Sequence, residues 1–252
     1  MNPEITRKLV DINDRFYQNF GAAFAETRRR IQPGIQHILE TRIGNGDWLD
    51  LGCGGGPLGQ ALIKKNICGS YTGLDFSEPL LAEARDRVRA SLIPSGFSIS
   101  YDKVNLLDPD WCLSLPGKIF DGILAFAVFH HLPGFNSRIE VIQQAAALLK
   151  PSGLLIHSVW QFQNSEKLLA RVQPWSITGI SSEEVEPGDT LLDWRHVTEG
   201  QPSQIGLRYV HLFSNRELSD LAEKTGFAII EEFYSDGKKG NLGFYQVWQK
   251  QP

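Results

Sequence analysis

The chain is poor in the residues that mark special compartments or frameworks. It carries three cysteines and one methionine in 252 residues, with no strong excess of either charge. Cys53, Cys68 and Cys112 lie far apart and form no C-x-x-C pair. Neither a disulfide framework nor a zinc site is expected, and a reduced, cytoplasmic setting is the simplest reading. No stretch approaches the roughly 20 apolar residues of a membrane span. The N-terminus, with Glu4, Arg7, Lys8 and Asp11, has no apolar signal core. A net charge of −4 leaves no overall basic footprint. That speaks against nucleic acid as a partner unless a local patch supplies the charge. Repeats and low-complexity tracts are also absent. What is present, 42% hydrophobic and 21% charged residues, suits one generous α/β domain, with a core large enough to need no staples.

One stretch then stands out. Trp48-Leu49-Asp50-Leu51 runs into Gly52-Cys53-Gly54-Gly55-Gly56. Apolar residues and an acid followed by glycines read as a buried strand ending in a tight turn under a ligand. Glycine permits positive φ and lets a ligand approach the main chain. Such ligands sit at the carboxyl ends of parallel strands, beside a helix N-terminus.

The flanking chain reads as the scaffold for that turn. Residues 4–42 look helical, with Leu9, Ile12, Phe16, Phe20 and Phe24 at steps of three and four. Pro33-Gly34 interrupts this run. Strands are expected at 48–51, 71–74, 97–104, 120–129 and 154–159, alternating with helices at 57–65, 78–90 and 137–149. Ser77 is placed to cap the second of these helices. Residues 161–207, with Gln173-Pro174 and Glu186-Pro187-Gly188, break the rhythm and read as a long irregular segment of functional character. Ser214-Asn215-Arg216-Glu217 is a capping box. Two further strands, 227–233 and 242–248, close the chain around Ser235-Asp236-Gly237.

Two cofactor classes compete for the glycine turn. Gly54, Gly56 and Gly59 satisfy GxGxxG, and Asp75 falls about 20 residues on, as in a dinucleotide site. However, Asp50-Leu51-Gly52-Cys53-Gly54-Gly55-Gly56 resembles the Asp-x-Gly-x-Gly-x-Gly motif of class I S-adenosylmethionine (SAM)-dependent methyltransferases. Leu149-Lys150-Pro151-Ser152-Gly153 resembles that family's turn before its fifth strand. The resemblance implies a Rossmann-like seven-stranded α/β sheet in the order 3-2-1-4-5-7-6, with the last strand antiparallel. It implies that Asp50, Gly52, Gly54 and Gly56 hold the methionine part of SAM, Asp75 the ribose, and Phe76, Asn105, Leu106 and Phe126 the adenine and its surroundings. Residues 1–46 would cover the cofactor site, 47–252 would form the methyltransferase domain, and 161–207 would carry the acceptor site. The product would be S-adenosylhomocysteine (SAH), and no metal is implied.

The flanks carry a narrower resemblance. Phe20-Gly21-Ala22-Ala23-Phe24-Ala25-Glu26-Thr27-Arg28, Asp193-Trp194-Arg195 and Arg208-Tyr209-Val210-His211-Leu212-Phe213 resemble segments of the methyltransferases that esterify 5-carboxymethyluridine at the tRNA wobble position. Val210 and Asp193 stand where that family has Tyr and Pro. The resemblance implies tRNA as acceptor, and some relatives need an activating partner subunit. In this reading Arg28 holds the cofactor carboxylate. Arg195 and Arg208 grip the acceptor carboxylate, with Trp194, Tyr209 and His211 orienting it. Next to the fourth strand, His130 and His131 are open to several roles: base, substrate partner or loop anchor. They are not expected to form a metal pair, because adjacent side chains diverge along a strand. Arg208–Phe213 also reads as ordinary strand alternation. Two other functions stay open: a small-molecule O- or N-methyltransferase, and a non-catalytic SAM-fold subunit.

Overall fold

Two apolar faces of one sheet account for most of the core. The structure, a computed structural model, describes residues 1–26, 30–196 and 204–251. Its main sheet has seven strands: β1 (Gly46–Leu51), β2 (Gly69–Asp75), β3 (Phe97–Lys103), β4 (Phe120–Phe126), β5 (Leu149–Trp160), β9 (Phe227–Ser235) and β10 (Gly243–Lys250). Their spatial order is β3-β2-β1-β4-β5-β10-β9. The first five run parallel, and β10 is antiparallel to both β5 and β9. With β9 and β10 as the sixth and seventh strands, this is the order 3-2-1-4-5-7-6.

The sheet is central because its strands are apolar on both faces, as parallel sheets require. On one face Leu49, Ile123, Leu155 and Trp248 pack with α5 (Phe135–Ala147) and α7 (Asn215–Lys224). On the other, Trp48, Leu124, Ile156 and Val247 pack with α2 (Pro33–Thr41), α3 (Pro57–Lys65) and α4 (Glu78–Arg89). Trp248 is fully buried, and truncation of such a side chain to alanine costs about 3–5 kcal/mol.

The segment after β5 departs from the expectation of irregular chain. It contains α6 (Glu166–Leu169) and three strands, β6 (Val172–Gln173), β7 (Asp189–His196) and β8 (Gln204–His211), in an antiparallel sheet of order β6-β7-β8. The turn-rich composition around Pro174 and Pro187 reflects the links between these elements. Of Arg208, Val210 and Leu212, the first two lie in β8 and Leu212 follows it; residues 208–211 are all buried, so this stretch is strand without a solvent-facing alternation. Helix α1 (Pro3–Glu26) lies against this small lobe, with Ile5 and Leu9 packed on Ile180 and Tyr209.

Two local expectations also change. Ser77 stands at the N-cap of α4, but its hydroxyl makes no cap bond; its backbone N–H instead donates to Asp75 Oδ1 at 2.9 Å. His130 and His131 lie in a 3₁₀ turn rather than on a strand. A helical turn rotates successive residues by less than a strand's half-turn, so their rings lie alongside one another with centroids 4.3 Å apart. Among the described residues no helix is long and apolar enough to cross a membrane.

Candidate active site

The carboxyl ends of β1, β2, β4 and β5 open onto one cavity of about 490 Å3, within the range of small-molecule sites. Its floor is the glycine turn. Gly52 has φ +67°, and a Cβ there would lie 2.6 Å from the Val128 side chain. Gly54 has φ +54° and nothing within 4 Å of its missing Cβ, so its backbone faces open space. Its N–H donates to Asp75 Oδ2 at 2.9 Å. With the Ser77 N–H on the other oxygen, the Asp75 carboxylate is oriented by two backbone donors, and burial raises its pKa.

Asp50 is nearly fully buried and accepts the Tyr71 hydroxyl at 2.5 Å. Burial, reinforced by nearby Asp75 and opposed by the Tyr71 bond, pushes its pKa up to about 7. A desolvated acid of this kind favours a cation beside it. The open face at Gly54, the acid at Asp50 and the oriented carboxylate at Asp75 therefore suit a ligand carrying positive charge at one end and hydroxyls nearby.

Of the other residues expected at the cofactor, Gly52, Phe76, Leu106 and Phe126 line the cavity. Asn105 does too, but its amide is engaged locally: Oδ1 accepts the Leu107 N–H and Nδ2 donates to Asp108. Gly56 stands outside the cavity wall; a Cβ there would lie 2.7 Å from Ala84 and from the Tyr101 hydroxyl, so this glycine serves helix packing. Arg28 lies outside the described residues.

The acceptor expectations divide. His131 lines the cavity. His130 does not; it is buried behind His131, with its ring 6.1 Å from that of Trp160. Arg195 is half exposed on β7 and bonds Asp193 of its own strand through Nε and Nη2 at 3.1 and 3.0 Å. Trp194 packs edge-on against Phe16 and Phe20 of α1. Arg208 is buried, with its guanidinium over the Phe16 ring at 5.0 Å and the Trp160 ring at 5.4 Å. It stands behind the cavity wall that Trp160 forms.

Tyr209 and His211 belong to a buried network instead. The Tyr209 hydroxyl donates to Asp189 at 2.7 Å. His211 bonds Asp189 through Nδ1 at 2.7 Å and Glu217 through Nε2 at 2.9 Å. Fully buried Arg138 of α5 bonds Glu186 at 2.7 Å and Glu217 at 3.1 Å. Burial alone would lower the His211 pKa; its two carboxylate partners more than reverse this and raise it. Glu186, Asp189 and His211 come within 4.8 Å of one another, yet Arg138 and the histidine proton already answer these carboxylates. The capping box is accordingly half-formed. Ser214 Oγ accepts the Glu217 N–H at 3.2 Å, while the Glu217 carboxylate turns to Arg138 and His211.

The cavity has a roof that the motifs do not mark. Val10, Asn13, Asp14 and Tyr17 of α1 line it, as does Trp160 at the end of β5. Asp236, between β9 and β10, accepts the Gly34 N–H at 2.9 Å and the Tyr245 hydroxyl at 2.6 Å, fixing the start of α2 at the cavity rim. The signal for α1 was the helical step itself: positions 10, 13, 14 and 17 share a face adjoining the apolar stripe of Leu9 and Phe16.

Fold and floor together define a methyltransferase of the seven-stranded, SAM-dependent class. Residues 24–232 match the family described as a methyltransferase domain, and the chain belongs to that family. It is 26% identical over 190 residues to a tRNA (carboxymethyluridine(34)-5-O)-methyltransferase of Arabidopsis thaliana, covering 75% of this chain and 42% of that protein. The chain thus spans less than half of that relative's length. It is 33% identical over 124 residues to a ubiquinone biosynthesis O-methyltransferase of Thiobacillus denitrificans, covering 49% of this chain and 48% of that one. A solved SAM-dependent methyltransferase from Clostridium acetobutylicum superposes with a TM-score of 0.67 at 13% identity, covering 94% of this chain and 99% of that structure.

Proposed function

We propose that this methyltransferase moves the methyl group of SAM to a carboxylate oxygen of its acceptor, forming a methyl ester. SAM supplies an electrophilic methyl on a sulfonium. In this reading Gly52 and Gly54 seat its methionine part against the backbone, Asp50 answers its positive charge, and Asp75 accepts its ribose hydroxyls. A carboxylate is already nucleophilic, so the enzyme must align it with the S–CH3 bond rather than deprotonate it. The observation that carries this reading is Arg208: a desolvated guanidinium, stacked on Trp160 at the acceptor end of the cavity. A guanidinium built into that wall suits an anionic acceptor, because its planar fork matches a carboxylate. Similarity to the ester-forming tRNA methyltransferase supports the same acceptor class and makes wobble-position tRNA the first candidate.

Incubation with methyl-labelled SAM and bulk tRNA tests this reading. Alkali-labile label on tRNA is the expected result, while label that appears only in small molecules rules tRNA out. A second reading, O- or N-methylation of a small molecule, is favoured by the higher identity to the ubiquinone-pathway O-methyltransferase and by the net charge of −4. Label in a metabolite extract that resists alkali would establish it.

A further inference from the structure

Gly52, Gly54 and Gly56 all have positive φ, and Gly55 does not. Position 55 therefore needs glycine for space rather than for backbone freedom. A Cβ there would lie 3.0 Å from Glu83 Oε2 and 3.1 Å from Glu83 Cδ. The next glycine makes room for the next residue of α4: Ala84 Cβ lies 2.7 Å from the missing Cβ of Gly56. Helix α4 thus rests directly on the glycine turn, and it lays a carboxylate over Gly55, one residue from the open face at Gly54.

One helical turn on, Arg87 Nη2 donates to Glu83 Oε1 at 2.5 Å. An i, i+4 bridge is ordinary on the solvent face of a helix. This one is set into a wall: both side chains line the cavity, with Arg87 21% and Glu83 29% exposed. The bridge occupies one oxygen and one nitrogen. Glu83 Oε2 and Arg87 Nη1 have no hydrogen-bond partner among the described residues. Among those residues, two arginines and no lysine line the cavity. Arg30 is exposed at the entry to α2, whereas Arg87 is held beside the floor by Glu83.

A ligand that complements this pair carries a cation and an anion a few bonds apart. The amino-acid end of SAM does so. Its ammonium has N–H groups to donate to a carboxylate, and its own carboxylate accepts from a guanidinium. We propose that Glu83 and Arg87 hold the α-ammonium and α-carboxylate that SAM and SAH share. This rests on the reading above that Gly52 and Gly54 seat the methionine part. Each member of the bridge then gains an opposite charge on the ligand, so neither is left unpaired when the site fills. Held at both charged groups, the methionine arm has little freedom left, and that sets the direction in which the S–CH3 bond points.

Calorimetric titration of the full chain with three neutral thioethers tests the pair without the sulfonium charge. SAH carries both groups, S-adenosyl-3-thiopropylamine keeps the ammonium alone, and 5′-methylthioadenosine lacks the arm. Arg87→Gln is expected to weaken SAH about tenfold, the lower end for a charged hydrogen bond because the pair is partly exposed. It should weaken neither of the other two. Glu83→Gln is expected to weaken SAH and the propylamine by a similar factor and to spare 5′-methylthioadenosine, whose retained affinity reports an intact site. A loss that 5′-methylthioadenosine shares overturns the inference, because the pair would then be structural. A loss on Arg87→Gln that the propylamine shares overturns the carboxylate assignment. If both variants keep the wild-type preference for SAH over 5′-methylthioadenosine, the pair is sunk and the seat on Gly52 and Gly54 stands. Wild-type protein that binds the two equally sinks the seat together with the pair.

Discussion

The floor of the cavity and the small lobe beside it are held by opposite means. The floor is backbone: positive φ at Gly52 and Gly54, and two N–H groups on Asp75. The lobe is side chain: Arg138, Glu186, Asp189, His211 and Glu217 bond one another across four elements and the loop before β7. In the floor an acid, Asp50, is buried without a cationic partner among the hydrogen bonds and ion pairs described for it, whereas in the lobe each of the three acids bonds Arg138 or His211. One region is prepared for a ligand's charge, and the other has answered its own.

The largest test of that contrast is Arg138→Leu. Removing one member of a buried, bonded charge set costs about 3–5 kcal/mol, a fall in melting temperature on the order of 10 °C for a chain of this size. SAM affinity measured on the folded fraction should stay within about twofold. Asp75→Ala should do the reverse. Loss of charged hydrogen bonds to a ligand, about 1.5–3 kcal/mol, weakens SAM binding roughly 10- to 150-fold by calorimetry with a smaller change in melting. If both variants lose stability and affinity together, floor and lobe are one cooperative unit.

Titration sharpens the contrast. Asp50 ionises near pH 3.9 in an unfolded chain and at about 7 when folded. A raised folded value means stability that is present below the unfolded value and lost as pH rises through about 7. His211 is also raised, so its contribution is full below about 6.5 and lost as pH rises through its higher folded value. Urea denaturation at pH 6 and 8.5 should therefore show falling stability from both. Asp50→Asn should remove one part of the slope and His211→Asn the other. SAM should flatten only the Asp50 part, because it brings the missing cation. A slope unchanged by SAM would break the assignment of Asp50.

The smallest comparison lies between two serines. Ser214→Ala removes a real cap bond on α7 and should cost about 1 kcal/mol. Ser77→Ala removes a hydroxyl that caps nothing on α4 and should cost less than about 0.5 kcal/mol. Equal costs would mean that the Ser77 hydroxyl stabilises the fold by some means other than a cap bond.

The same division explains what could be read in advance. Backbone-built features leave local marks: Asp50 through Gly56 announces a cofactor turn and Asp75 follows at a set spacing, and the family resemblance those marks carry implied the sheet order and the cofactor class. Side-chain networks join residues distant in the chain. Nothing near Arg138 shows that it will meet Glu186 and Glu217, and nothing near His211 shows that it faces Asp189 rather than a substrate. Arg195 looked like an acceptor clamp because guanidinium suits carboxylate, but its carboxylate is Asp193, two positions away on the same face of β7. Asn13 and Tyr17 carry no such mark: they line the cavity from a face of α1 beside its heavier apolar stripe, and helical spacing reveals only the stripe.

Helix α1 has one consequence for how such an enzyme diversifies. Its stripe of Leu9 and Phe16 seats it on the lobe, and its stripe of Asn13 and Tyr17 overlooks the cavity. A substitution at position 13 or 17 therefore changes the cavity lining directly. The outer lobe has no such coupling: Val172, Ile177 and Ile205 are exposed there, outside the cavity lining.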